Sequence, residues 1–190
     1  MDKSSNWYVA TSGTLPIVSG NSGSVNLTMT GSGGYGLFVA NNGDMYYHDR
    51  DNREVTMHSL NTTSSNPVMY ISEPCESLFI ASNNTLYCST RVMHQVVTKS
   101  LDNPTNALTI VAGTGCAGSA SGMLNNPNGI FVTLDFSLNV ADTSNDRIQH
   151  FAHRSKNATT VAGNGTPGSI NLRSPMAVSL DGNEIGRAHV

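Results

Sequence analysis

Leu124-Asn125-Asn126-Pro127-Asn128-Gly129-Ile130-Phe131-Val132, followed by Leu138-Asn139-Val140-Ala141-Asp142-Thr143-Ser144-Asn145-Asp146-Arg147-Ile148-Gln149-His150-Phe151, is the stretch on which the fold turns. It contains short runs of β-branched and aromatic residues separated by turn formers, the pattern of consecutive strands in a hairpin. Moving towards the N-terminus, Ile130-Phe131-Val132-Thr133 and Ser137-Leu138-Asn139-Val140 have counterparts 52 residues earlier in Leu78-Phe79-Ile80-Ala81 and Thr85-Leu86-Tyr87-Cys88. A further 41 residues back stand Leu37-Phe38-Val39-Ala40 and Asp44-Met45-Tyr46-Tyr47. Towards the C-terminus a fourth copy opens at Pro175-Met176-Ala177-Val178-Ser179-Leu180 and stops at Asn183, before its second strand.

A third strand of each unit is expected around Val55, Val96 and Ile148, which share one register at the same offsets. The fourth strands are expected at Ile17-Val18-Ser19-Gly20, Pro67-Val68-Met69-Tyr70-Ile71, Ile110-Val111-Ala112-Gly113 and Thr160-Val161-Ala162-Gly163. Four short strands per unit at a period of roughly 40 to 50 residues is the arithmetic of propeller blades. A sandwich has no need of equal-length copies. Gly, Pro or Asn interrupts nearly every window long enough for a helix, so the fold class is all-β. The expected organisation is a β-propeller of four-stranded antiparallel blades at about residues 35–72, 74–113 and 124–163, with partial blades before and after, together spanning 1–183.

Composition bounds the function. Ten basic and thirteen acidic residues give a net charge of −3, and no Lys/Arg cluster could neutralise a run of phosphates, which disfavours a nucleic-acid partner. No apolar run approaches the roughly 18 residues of a membrane span, which excludes membrane insertion, and Met1-Asp2-Lys3-Ser4-Ser5-Asn6 has no apolar signal region. Five Asn-x-Ser/Thr sequons begin at Asn26, Asn61, Asn83, Asn157 and Asn164, but the Asn and Ser/Thr content produces about that many by chance, so they decide no compartment.

The order Pro127-Asn128-Gly129-Ile130, then Val140-Ala141-Asp142, Asn145 and Arg147-Ile148, resembles an NHL repeat. The first complete copy keeps Asp49 and Asn52 but carries Glu54 where Arg147 stands; the middle copy has Thr90, Met93 and Gln95 at the three positions and keeps only the hydrophobic pattern. The resemblance implies a propeller of about six blades, used for protein, RNA or glycan recognition, with some members acting as lyases or lactone hydrolases. It implies that Asp142 and Arg147 pair across a tight turn while Asn145 bonds backbone in that turn, with Asp49 and Asn52 as the matching structural positions. About four blades of an expected six are then present, and the chain is expected to be incomplete. The heptapeptide Glu184-Ile185-Gly186-Arg187-Ala188-His189-Val190 has neither strand alternation nor a turn signal. It resembles a translated sequencing adapter and is expected to be a non-native tail.

Other motifs point nowhere chemical. Gly113-Thr114-Gly115-Cys116-Ala117-Gly118 spells a dinucleotide fingerprint, with Asp135 about twenty residues on. Yet no helix can follow it, and Gly163-Asn164-Gly165-Thr166-Pro167-Gly168 repeats the spelling at the same place in the next unit. The glycines belong to inter-blade loops, and no cofactor is expected. His150 and His153 fall on opposite faces of a strand and cannot share a metal without a bulge. Glu73 and Glu76 lie just before a first strand, where family enzymes place carboxylates, but no matching acids stand near Tyr35 or Pro127, so no metal site is expected. No catalytic residue is assigned. The reading is a non-catalytic recognition or scaffold module for a protein or other macromolecule; the alternative is a propeller hydrolase or lyase with a metal in its central channel. Cys75 and Cys88 flank the Ser82-Asn83-Asn84 turn and fall near one another across the hairpin. They would form a disulfide in an oxidising compartment or stand as two packed thiols in a reducing one. Cys116 has no evident partner.

Overall fold

The computed structural model describes residues 15–17, 27–29, 33–59, 65–103, 105–164, 170–180 and 186–189. These contain strands, turns and a single turn of 3-10 helix, Thr143–Asn145, and no helix among them is long and apolar enough to cross a membrane. Two compact units divide the chain, Met1–Cys75 and Glu76–Val190.

In the first unit, β1 (Leu15–Ile17) pairs with β2 (Leu27–Met29). Then β3 (Gly33–Val39), β4 (Met45–Asp49), β5 (Glu54–His58) and β6 (Ser65–Tyr70) form an antiparallel meander in sequence order. The second unit holds two more such meanders. One comprises β7 (Cys75–Ile80), β8 (Thr85–Thr90), β9 (Gln95–Ser100) and β10 (Thr109–Gly113); the other comprises β11 (Pro127–Val132), β12 (Leu138–Asp142), β13 (Arg147–Phe151) and β14 (Ala158–Gly163). A last hairpin pairs β15 (Ala177–Leu180) with β16 (Gly186–His189). Its second strand lies in the heptapeptide in which the sequence shows no strand pattern. Backbone pairing with β15 needs only an extended partner, and alternation is a property of strands with one buried face.

Second strands carry the decisive burial pattern. All five residues of β4 and of β12, and five of six in β8, are buried, so these strands are covered on both faces, unlike the half-solvated strands of a two-layer sandwich. In the second unit the covering is explicit. Tyr87, Val96 and Ala112 of the β7–β10 sheet interlock with Ile130, Val132, Leu138, Val140 and Phe151 of the β11–β14 sheet, and Phe79 meets Phe131 edge to face at 5.2 Å. The opposite face of the β11–β14 sheet, through Ala141 and Ile148, packs on Leu172 and Val178. Of the repeat positions, Val55 and Val96 are wholly buried, Ile130 and Ile148 nearly so, and Phe38 and Phe79 half-buried. Each wholly buried aliphatic contributes roughly 1.5 to 3 kcal/mol.

The repeats also coincide in backbone detail. Hairpin turns bond Gly43 N to Ala40 O, Asn84 N to Ala81 O and Phe136 N to Thr133 O, each with the donor left-handed at φ 89°, 56° and 65°. The next turns place Arg53, His94 and Asp146 left-handed at the same offsets. In each of the three described four-stranded sheets the fourth strand carries one bulge, at Val68, Val111 and Val161; of the expected strand Ile17–Gly20, residues 18–20 lie outside the described residues. Such a bulge twists an outer edge away from further pairing, and the sheet edge accommodates Pro67 beside it.

Candidate functional site

Asp142 ends β12, and its carboxylate is fully buried. Oδ1 accepts the backbone N–H of Asn125 at 2.7 Å, while Oδ2 accepts Arg147 Nε and Asn145 Nδ2, each at 2.8 Å. Arg147 extends beyond this pair: Nη1 donates to Ser119 O at 2.9 Å, and Nη2 to Ala120 O and Met123 O at 3.4 and 3.3 Å. Asn145 Nδ2 donates also to Gly118 O at 2.9 Å, and Ser144 N–H to Asn125 O at 3.0 Å. All these partners belong to the loop of residues 114–126 that joins β10 to β11. Two charges leave water here only because the lone pairs of one and the N–H groups of the other are consumed. The consequence is a long irregular loop pinned by side chains of the sheet that follows it.

The first copy builds a smaller version. Asp49 accepts from Asp51 N, Asn52 N and Asn52 Nδ2 at 3.0, 3.2 and 2.9 Å, all inside its own turn. Glu54, in the place of Arg147, accepts the Thr56 hydroxyl at 3.2 Å. In the middle copy Thr90 Oγ1 closes its own turn on Gln95 O at 3.0 Å.

A second linkage escaped the sequence reading. His94 Nδ1 accepts the backbone N–H of Asn126 at 3.1 Å, and Asp146 Oδ1 accepts that of Ser174 at 2.7 Å. The two acceptors occupy equivalent left-handed positions, and each receives the residue just before the proline that leads the next first strand. An imidazole and a carboxylate do one job, so residue identity hides it; the 52-residue offset between His94 and Asp146 is the signal that finds it. Acceptance at Nδ1 fixes His94 as the Nε2–H tautomer.

The glycine spelling is structural as well. Gly113 and Gly163 are left-handed at φ 80° and 87°, and a Cβ on either would collide with the carbonyl oxygen of His94 or Asp146. Asp135 is a turn cap: it accepts the Thr133 hydroxyl, and the Ser137 N–H and hydroxyl at 3.1 Å, bonds that hold its carboxyl below the usual range.

The remaining candidates do not converge. Glu76 lies inside β7 and not before it, and Glu73 is half-buried ahead of that strand. His150 Nδ1 lies 3.1 Å from Asn139 Oδ1 within the sheet, whereas His153 lies beyond β13 against Phe136. Among the described residues no three His, Cys, Asp or Glu gather as metal ligands. Cys75 and Cys88, both fully buried, are disulfide-bonded; Cys116 is the third cysteine, free and exposed, so the bond joins the first two. The sequon residues Asn83, Asn157 and Asn164 are exposed; Asn26 and Asn61 lie outside the described residues. Beside the pinned loop the surface is partly apolar: Val92 and Met93, next to His94, are 62% and 41% exposed, and Met176, against Asn128, 51%.

No protein-family model matches the chain, and no curated protein does. Solved structures do. An auxiliary nutrient binding protein from Bacteroides ovatus superposes with a TM-score of 0.69 at 15% identity, over 98% of this chain and 55% of its own. One from Bacteroides thetaiotaomicron gives 0.67 at 18%, over 86% and 46%, and a streptogramin B lyase gives 0.62 at 13%, over 84% and 49%. The fold is a β-propeller. The chain spans about half the length of the propellers it matches, and at these identities the likeness carries the fold and no activity.

Proposed function

We propose that this chain is part of an NHL-type propeller acting as a non-catalytic recognition module, with blades at about residues 35–72, 74–113 and 124–163 and a protein as its partner. The observation that carries the reading is the pinned loop. Asp142, Asn145 and Arg147 spend their polar capacity on the backbone of residues 118–125, which leaves them a structural role and presents loop 114–126 in one conformation. A surface ordered before binding saves the entropy of ordering it later, and Val92, Met93 and Met176 supply adaptable apolar contacts at its edge. The Cys75–Cys88 bond is read as a staple of the second blade in an oxidising compartment.

The similarity to a streptogramin B lyase favours a second reading, a propeller lyase or hydrolase with a metal in its central channel. One experiment separates them. The chain is assayed for thermal shift and lactone turnover with and without calcium, and, in parallel, photo-cross-linked from position 93 to extracellular and cell-surface proteins. A saturable cross-link lost in Val92→Asp/Met176→Asp supports recognition. Calcium-dependent stabilisation with turnover supports the enzyme and sinks our reading.

A further inference from the structure

A cleft of about 250 Å3 opens between the β7–β10 and β11–β14 sheets, at the end of the strands opposite the Asp142 turn. Phe136, Leu138 and Phe151 of one sheet and Tyr87 and Ile110 of the other line it, and Arg154 and Lys156 also contribute to its wall. Its make-up differs from an ordinary packing defect in three ways.

First, its charge has one sign. Two permanent cations contribute, and no Asp or Glu lines it. Lys156 Nζ already donates to Ile110 O, tying the β13–β14 turn to β10, and an ammonium so held keeps two further N–H donors. Second, Tyr87 lines the cleft with a body only 7% exposed, while its hydroxyl is not among the buried polar atoms left without a partner. A phenol that is neither bonded within the sheet nor cut off from the cleft is free to donate to a ligand. Burial also raises its pKa, so the group is a proton donor throughout the neutral range. Third, the wall residue Phe136 occupies the left-handed hairpin position where the other copies have Gly43 and Asn84. That conformation disfavours a bulky side chain by roughly 1 to 2 kcal/mol, and the ring it presents is supported by His153 at 5.6 Å.

We propose that this cleft binds a small carboxylate with an aromatic or branched apolar body, the body lying against Phe136, Leu138 and Phe151 and the carboxylate accepting from the Tyr87 hydroxyl and the Lys156 ammonium. The volume admits a ligand of about ten non-hydrogen atoms, below the usual range for drug-sized pockets. None of the lining residues belongs to loop 114–126, although Ser121 and Gly122 of that loop adjoin Ala158 and Lys156, and the proposal does not depend on the recognition reading.

Phenylacetate is the probe, titrated into the full 15N-labelled chain and followed by amide shifts, with benzyl alcohol and phenethylammonium as neutral and oppositely charged comparisons. Saturable shifts centred on Tyr87, Ile110, Phe136 and Lys156 are expected, at a dissociation constant of about a millimolar or below for a ligand of this size. Phenethylammonium should not bind. Tyr87→Phe, which removes one oxygen and no packing, and Lys156→Met should each weaken phenylacetate about tenfold, as loss of a hydrogen bond to a charged group does. The spectra themselves report whether each variant is folded. The proposal is overturned by shifts that do not saturate or that map elsewhere, by benzyl alcohol binding as tightly as phenylacetate, or by folded variants that both keep the parent affinity.

Discussion

Replacing Asp142 by Asn tests whether the pinned loop is held as described. The substitution preserves shape and removes one charge. A carboxamide has one acceptor oxygen, whereas Asp142 now receives a backbone N–H on one oxygen and both Arg147 Nε and Asn145 Nδ2 on the other. Whichever way the amide turns, its NH2 faces a donor, and the Arg147 guanidinium, with a side chain only 10% exposed, loses its counter-charge. Removing one partner of a buried pair costs about 3 to 5 kcal/mol. Arg147 retains the Ser119, Ala120 and Met123 carbonyls, which places the expected loss near the lower end, about 3 kcal/mol. For a chain of this size that lowers Tm by roughly 6 to 12 °C. Asp49→Asn is the internal comparison, since Asp49 bonds only its own turn and is not ion-paired among the described residues; a loss of about 1 kcal/mol is expected there. Circular dichroism melts of the three proteins decide the matter. If Asp142→Asn melts within about 2 °C of the parent, or no lower than Asp49→Asn, the loop is not held by this network.

Three further outcomes follow from the same geometry. Reducing the Cys75–Cys88 bond, or replacing both residues by Ala, should cost about 3 kcal/mol from the loop it closes, and peptide mapping without reduction should find Cys116 alone alkylated. His48 is 2% exposed with both ring nitrogens unpartnered among the described residues; burial chiefly lowers its pKa, with Asp49 opposing and Arg50 assisting. Its unfolded form therefore takes up a proton first, so stability should be full above about pH 6.5 and fall as the pH drops from there towards the depressed folded value, a slope that melts of His48→Gln should lack. Gly163→Ala must both adopt φ 87° and move the Asp146 backbone, whereas Gly115→Ala at φ 86° meets nothing nearer than Gln95 Oε1 at 3.8 Å. Chemical denaturation should show a loss of roughly 1 to 2 kcal/mol for Gly115→Ala and clearly more for Gly163→Ala.

The contrast between those two glycines marks where sequence reading stops. Strand existence was legible because apolar runs recur at fixed offsets, and the fold class followed from counting them. The left-handed positions were legible only as positions. Gly43, Asn84 and Phe136 share one conformation, as do Arg53, His94 and Asp146, because pairing in the flanking strands outweighs the roughly 1 to 2 kcal/mol that conformation costs a side chain. Composition at such a site consequently says little, and the repeat offset says nearly everything. The partners of Asp142, Asn145 and Arg147 were beyond reach for a different reason. They are mostly backbone carbonyls of a loop 24 to 28 residues upstream, and a carbonyl leaves no mark in the sequence of the residue that bears it. Gly118, Ser119, Ala120 and Met123 thus look like a featureless linker while supplying four of the six side-chain hydrogen bonds that seat an arginine and an asparagine. It follows that the exposed side chains of this loop, such as Ser119, Ala120 and Ser121, are free to vary towards a partner while its course stays fixed by the sheet behind it, whereas Leu124, wholly buried in the core, and Gly122, where a Cβ would meet Lys156 O, are not.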